Sequence, residues 1–438
     1  MKSEKLKSFN YAIGMFGTSI PINLLKTYAA IFYVDRLGLK TTQFALILFV
    51  YTFIDVLDNP VYGFLSDRTR TKWGRRRPWL IIGTPLLVLG LIAFYSPPEF
   101  IAGQSLLAYA MLFYILTGTL DSVINANYGA LFPELFTDDA SRAKTNAMRQ
   151  AFQLVAMIIS IALTPVVTNA IGFSMTSILY GILGGVVIIH MAITAREKEV
   201  TPDEEKPKLW DSIKTIVTNK NFWIAGLTNA FYSAAMSLVL AGLPFFVKYT
   251  LQIPDAQSTF LFASVLLIAI GCVVLWAWLV RKYNLIPIWR IALASLAISF
   301  IPLFFASNLV TAIAGSALVG FGFAGVITTM DLIGARIMDE DTRKYNLRRE
   351  GIYSNALGFM NRLSGLFTSL AFLLIFHLFG FESGDNPGTQ PGTASRFLLT
   401  VFPMVLMVIS VGFSFFLKFT KRQEESPESS ESLDHQAS

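Results

Sequence analysis

The chain holds a single cysteine, Cys272, in 438 residues, which excludes a disulfide framework and a thiolate metal site. Histidine is nearly as scarce. His190 and His377 fall far apart near the ends of apolar runs and His435 lies in the C-terminal tail, and isolated imidazoles of this kind pack or solvate rather than ligate a metal. No catalytic constellation and no recognition domain emerges, so the expectation is no enzyme, no metal and no cofactor. Charge is also sparse: 15% charged against 54% hydrophobic residues, with mean hydropathy +0.55, excludes a water-soluble domain of ordinary surface. The start, MKSEKLKSFNYAIGMF, has the positive lead of a signal peptide, but its apolar run is too long and lacks a small-residue cleavage site, so it is expected to stay as an uncleaved first helix.

What is abundant is apolar sequence in membrane-length stretches. Twelve runs cover roughly 9–33, 42–66, 78–97, 104–132, 143–168, 173–195, 221–247, 257–280, 286–306, 309–335, 350–378 and 396–418, each long enough to cross about 30 Å of hydrocarbon. The predicted fold is therefore an all-α membrane protein of twelve transmembrane helices in two pseudo-symmetric six-helix bundles, 1–195 and 221–419. Between them lies a charged linker, 196–220, in which Trp210, Ile213, Ile216 and Val217 recur at helical spacing as an amphipathic helix on the interface. The tail 420–438 is acidic, Ser-rich and expected to be disordered. Basic residues concentrate in alternate loops: Arg68 to Arg77, Arg142 and Lys144, the linker, Arg281 and Lys282, and Arg343 to Arg349. That side is read as cytoplasmic, which places both termini there. The net charge of +6 reports this topology, and no nucleic-acid partner is implied because the basic residues sit in separate loops.

Against this apolar background, buried charge stands out. From Asp55 to Asp67 is about 18 Å of helix, so Asp55 and Asp58 lie near mid-membrane. With Asn59 they share one face, and two carboxylates at that depth demand a cation or a proton, because each intramembrane charge costs about 2.5 to 3.5 kcal/mol even on a lenient scale. An oxygen-rich, sulfur-free set suits a hard cation. Helix 4 carries Asp121, Ser122, Asn125 and Asn127 about 10 to 18 Å from its end at Pro133, with Asp121 and Asn125 on one side. Interhelical hydrogen bonding is the competing role for the asparagines. Arg149 lies about two turns into helix 5 and Arg362 about 18 Å into helix 11. Arg362 comes from the opposite bundle to the acids, so a charge pair or a shared substrate there would couple occupancy to closure; a fixed structural salt bridge is the alternative. Lys26, towards the outer end of helix 1, is read as a snorkelling residue. After helix 2, Gly63 permits close approach, Asp67 can bond a neighbouring helix terminus or an Arg, and Arg75, Arg76 and Arg77 can grip acids or lipid phosphates. Together these form a conformational latch, or at minimum a positive-inside anchor.

The segment Gly63 to Arg76, GFLSDRTRTKWGRR, resembles the signature after helix 2 of the major facilitator superfamily. More narrowly, DVLDNPVYG, RTRTKWGRRRPW, NYGALFPELFTDDASRAK and NLRREGIYS resemble the glycoside-pentoside-hexuronide:cation symporters, the melibiose permease-like family. The resemblance implies the major facilitator fold in a bacterial inner membrane, and a cation site on Asp55, Asp58, Asn59 and the helix 4 hydroxyl of Ser122. Acid and amide stand exchanged at Asp58 and Asn59, which leaves Na⁺ and H⁺ both open as coupling ions. It implies a sugar-site role for Arg149 and sets Arg362 near the family's helix 11 Lys. The acids that bind galactosides align with Ser19 and Asn125, and the helix 4 aromatic with Gly129, a departure from the galactoside pattern. Aromatic candidates for stacking on a sugar are Tyr11, Tyr128, Phe231 and Tyr232. The expected function is cation-coupled symport of a sugar, glycoside or uronide by alternating access, by a monomer whose partners are its small-molecule substrate and membrane lipids. A transporter of an amphiphile such as a lysolipid is the runner-up; a non-transporting receptor or an enzyme ranks last.

Overall fold

A computed structural model describes residues 2–136, 139–195, 218–345 and 350–418. The linker helix expected around Trp210 and the tail 420–438 lie outside the described residues. Helix α1 is built from Lys2–Ala12, Gly14–Ala30 and a π-helical turn, Ile31–Arg36; α2 is Thr41–Arg68; α3, Arg77–Phe94; and α4, Gln104–Leu135. Helix α5 starts as Asp139–Met157 and runs through a π turn, Ile158–Ala162, into Thr164–Thr194. That last stretch is two helices, because Gly172 sits at φ 77°, ψ 168° and breaks it. Only a residue without Cβ adopts that conformation without strain, so α6 begins just after it.

The second half repeats the plan: α7 is Lys220–Phe245 with a π turn, Phe246–Leu251; α8, Ser258–Lys282; α9, Leu285–Phe304; and α10, Leu309–Tyr345. Helix α11 comprises Glu350–Arg362 and Ser364–Phe379, and α12 comprises Pro391–Arg396, a π turn Phe397–Val401, and Phe402–Ser414. The first helix of each half thus ends in a π turn of 6 residues, an internal echo of the expected pseudo-symmetry. Among the described residues, 9 helices are long and apolar enough to cross a membrane. Helices α1, α2 and α5 are not among these nine; the described apolar stretch of α2 runs over Thr41–Leu57, and α1 and α2 carry Lys26 and Asp55 within their length.

Helices α1 to α6 pack on one another, as α3 does on α4 and α6, and α8, α9 and α10 pack likewise in the second half. Across the halves, α2 meets α11, α5 meets α8, and α1 meets α7. These cross-half contacts gather at the end of the molecule opposite the basic loops. There the Lys248 ammonium donates to the Asp35 carboxylate at 2.6 Å, the Tyr249 hydroxyl donates to the same carboxylate, and Arg36 pairs with Asp255 at 3.2 Å. Backbone joins in: the Gly384 amide donates to the Val34 carbonyl at 2.8 Å and the Thr41 amide to Glu382 at 2.6 Å. A Cβ on Gly384 would overlap the Asp35 carbonyl, so this loop seats on α1 only because the residue is glycine.

Candidate functional site

At the midpoint of the interface α2, α4 and α11 bring together three residues that the sequence placed at equal depth. The Arg362 guanidinium donates to the Asp55 carboxylate and to its backbone carbonyl, and lies 3.4 Å from the Ser122 hydroxyl. Ser122 itself donates to the Asp55 carboxylate at 3.1 Å. Asp55 is 8% exposed and Ser122 3%, so the carboxylate is stripped of most of its water and its charge is met by Arg362 from the other half. Charge-assisted bonds of this kind are roughly twice as strong as neutral ones. Helix α11 is locally tightened beside this contact: the Leu363 amide bonds back to Met360 at 3.2 Å and the Leu366 amide to Leu363 at 3.1 Å, an i to i+3 pattern that interrupts the α-helix next to Arg362.

Immediately before Ser122 on α4, Asp121 is also buried, and its carboxylate accepts from the Asn125 amide at 2.8 Å. It lies within Coulombic reach of Lys26, Asp55 and Arg362. Asn127 points to its own helix, donating to the Val123 carbonyl at 2.8 Å, rather than to a neighbouring helix as the sequence suggested. Ser19 is buried on α1. The helix carries Asp58, Asn59, Gly63 and Asp67 along α2, and the side-chain placements of these four lie outside the described residues.

A cavity of about 210 Å³ opens beside the Asp55–Arg362 pair. Its wall includes Lys26 of α1, Thr52 of α2, Tyr114 of α4, Ser237 of α7, and Asn361, Ser364 and Thr368 of α11. Sequence reasoning missed most of these, and it misplaced Lys26. The residue does not snorkel to the outer boundary: it is exposed into the cavity, because α1 continues about 15 Å beyond it to Arg36. The signal was present in the spacing. Ser19, Asn23 and Lys26 recur at i, i+4 and i+7, a polar stripe on an otherwise apolar helix.

Arg149 and Tyr128 stand apart from this cavity. Tyr11 and Tyr128 are stacked with ring centroids 4.7 Å apart and exchange hydrogen bonds, Tyr11 donating to the Tyr128 carbonyl at 2.6 Å and Tyr128 to the Tyr11 carbonyl at 3.1 Å. The Arg149 guanidinium lies 5.0 Å from the Tyr128 ring centre and 5.1 Å from that of Phe132. Phe231 stacks with Phe413 and Tyr232 with Phe323. The aromatic groups that do face the cavity are Phe44, Tyr51, Tyr114 and Phe372.

In the loop after α2, Thr71 and Gly74 close a tight turn that aims the following arginines inward. Arg75 pairs with Glu134 of α4 at 3.0 Å, Arg76 reaches Ser66 at 2.5 Å, and Arg77 donates to the Ala192 carbonyl at 2.7 Å and the Ile193 carbonyl at 3.0 Å. A cation on the last carbonyls of α6 is favourably placed against that helix's dipole. These contacts tie α2, α4 and α6 together within the first half.

The profile described as MFS/sugar transport protein matches residues 10–421. The chain belongs to that family. It is similar to the isoprimeverose transporter of Lactiplantibacillus pentosus, 25% identical over 63% of this chain and 59% of that protein. Likewise it is similar to the inner membrane symporter YicJ of Escherichia coli (strain K12), 25% identical over 60% of this chain and 58% of that protein. The chain thus spans under two thirds of the length of these relatives. A longer match, 92% of this chain and 90% of the relative at 25% identity, is to a putative 2,3-dihydroxypropane-1-sulfonate exporter of Salmonella typhimurium. Among solved structures, the nucleoside transporter NupG superposes with a TM-score of 0.70 at 10% identity, covering 93% of this chain and 99% of that one. A bacterial homologue of the human lysosomal transporter Spinster, inward-facing and unoccupied, superposes with 0.68 at 11% identity, over 94% and 96%. The fold is that of major facilitator transporters, and these family members and neighbours are transporters rather than enzymes.

Proposed function

We propose that this protein is a secondary active transporter that couples the movement of a sugar, glycoside or uronide to that of Na⁺ or H⁺. The observation that carries the reading is the Arg362–Asp55–Ser122 contact, a charge pair spanning the two halves on the wall of a cavity at mid-depth. Midplane sites at the interface of two repeats are where alternating-access carriers bind their ligands. Arg362 here occupies the place that a coupling ion would take on Asp55 and Ser122. A cation arriving there, together with the oxygens of Asp58 and Asn59, competes with the guanidinium for the carboxylate, and a released Arg362 is free to meet substrate. In the opposite conformation, Gly63, Asp67, Arg75, Arg76 and Arg77 would serve as the latch that closes the basic side.

Orientation by the positive-inside rule makes that side, and both termini, cytoplasmic in a bacterial inner membrane. The cross-half contacts at Asp35, Thr41 and Gly384 then close the outer face, which makes this the inward-facing form of twelve spanning helices acting as a monomer. The runner-up cargo, an amphiphile with a long apolar tail, finds little room in a cavity of about 210 Å³ whose wall sets Lys26, Asn361, Ser364 and Thr368 beside Phe44, Leu48 and Phe372. The test is uptake into proteoliposomes of candidate glycosides, uronides and lysolipids under imposed Na⁺ or H⁺ gradients. Accumulation driven by either gradient supports the reading; accumulation indifferent to both, and to voltage, would make the protein a facilitator.

A further inference from the structure

Among the described residues, the wall of the central cavity holds one cation more than its acids balance. Of the charged residues on its wall, Asp55 and Arg362 neutralise each other in direct contact. Lys26 is left over: among the described residues it makes no hydrogen bond and no ion pair, and it is exposed into the cavity rather than to the outer boundary. Among the described residues, an acid within Coulombic reach is Asp121, whose carboxylate is already engaged by Asn125 at 2.8 Å. An ammonium at membrane depth without a contacting anion is costly, and such residues mark ligand pathways. Opposite Lys26, on α11, Asn361, Ser364 and Thr368 follow at i, i+3 and i+7 and present amide and hydroxyl groups along one face. Asn361 uses its carbonyl oxygen to accept from Ser233 at 3.3 Å, which leaves its amide N–H groups for a ligand. The volume, about 210 Å³, lies below the roughly 300 to 1,000 Å³ of drug-sized sites and suits one sugar ring rather than an oligosaccharide.

We infer that the substrate is a monosaccharide-sized sugar bearing one negative charge, a carboxylate or a sulfonate, with Lys26 as the residue that selects for that charge and the α11 face receiving the hydroxyls. The inference rests on the transport reading above and narrows it. A substrate so held touches α1 of the first half with its charged end and α11 of the second with its polyol, so its binding draws the halves together while the Asp55–Arg362 pair remains available for the coupling ion. Lysine suits the task, since a compact ammonium on a flexible stem serves either anion without demanding a planar, two-point fit.

The test uses the full-length protein in detergent and in proteoliposomes. The 6-carboxylates and 6-sulfonates of glucose and galactose are compared with the parent neutral sugars, by thermal shift and by counterflow, in the wild type and in the variants Lys26→Gln and Lys26→Arg. The wild type is expected to prefer at least one anionic probe over its neutral parent by tenfold or more. Lys26→Gln should lower the ratio of anionic to neutral sugar affinity at least tenfold in a protein that still unfolds cooperatively, and Lys26→Arg should retain most of that ratio. Selection of the carboxylates alone or of the sulfonates alone names the anion. Equal binding of charged and neutral sugars, binding of neither anion, or an undiminished preference in Lys26→Gln overturns the inference. Gradient-driven uptake of a neutral sugar with no anion bound removes this inference and leaves the transport reading standing. If Lys26 serves only as a counter-ion to Asp121, Lys26→Gln weakens charged and neutral ligands alike, which also overturns it.

Discussion

The contact between Asp55 and Arg362 makes a quantitative demand on the protein. Asp55→Asn removes the charge that Arg362 meets, and Arg362→Gln leaves Asp55 with the Ser122 hydroxyl at 3.1 Å as its remaining described donor. Breaking a buried pair from one side costs about 3 to 5 kcal/mol, because an uncompensated charge stays behind. Side-chain exposures of 19% for Arg362 and 11% for Asp55 let cavity water screen part of this, so the expected loss in each single variant is about 2 to 3 kcal/mol. The double variant Asp55→Asn with Arg362→Gln strands no charge and should lose no more than about 2 to 3 kcal/mol in all, where simple addition would give about 4 to 6, a coupling of about 2 kcal/mol or more, at least roughly thirtyfold in an equilibrium constant. Chemical unfolding of the four proteins in one detergent reads the cycle. Arg362→Lys should fall between wild type and Arg362→Gln, since it keeps the charge and loses the planar fork that reaches both carboxylate and carbonyl. Single-variant losses that simply add, within about 0.5 kcal/mol, would refute the claim that these two side chains hold the halves together.

The outer closure offers two further tests. Asp35 is buried and receives both Lys248 and Tyr249, so Asp35→Asn should shift the protein towards the form open at that end by about 1 kcal/mol, roughly fivefold, seen as faster labelling of a cysteine introduced at Phe44; unchanged labelling contradicts it. Gly384→Val places side-chain atoms against the Asp35 carbonyl and should slow transport at least tenfold while leaving ligand affinity within about twofold, because the clash blocks closure and lies far from the cavity; loss of affinity with intact transport would place the loop at the binding site instead.

Much of this architecture was legible in the sequence because depth along a helix can be counted. A rise of about 1.5 Å per residue put Asp55, Ser122 and Arg362 in one layer before any packing was known, and the structure joins those three. Lys26 shows the limit of the same method. Distance from a presumed helix end suggested snorkelling, whereas the i, i+4, i+7 stripe with Ser19 and Asn23 pointed inward, and the stripe carried the better information. The aromatic residues could not be sorted, since at 13% of the chain aromatic side chains fill packing roles everywhere, and Tyr11 and Tyr128 prove to stack on each other. The outer closure was illegible for a different reason: Asp35 and Lys248 are 213 residues apart, and nothing local in either marks the partner. The interruption of α11 beside Arg362 was equally hidden, because Leu363 carries neither the missing N–H of proline nor the freedom of glycine.

Coupling is the central claim, and reciprocity tests it most directly. With a transported sugar acid identified, its affinity is measured by calorimetry with and without Na⁺ and across pH, and the ion's affinity with and without the sugar. If the ion displaces Arg362 from Asp55 and so prepares the cavity, each ligand raises the other's affinity by one common factor, about 5 to 150-fold, equivalent to roughly 1 to 3 kcal/mol, and Asp55→Asn brings that factor to one while the sugar still binds. A sugar affinity indifferent to both Na⁺ and pH in the wild type, or a coupling factor that survives intact in Asp55→Asn, would contradict the account.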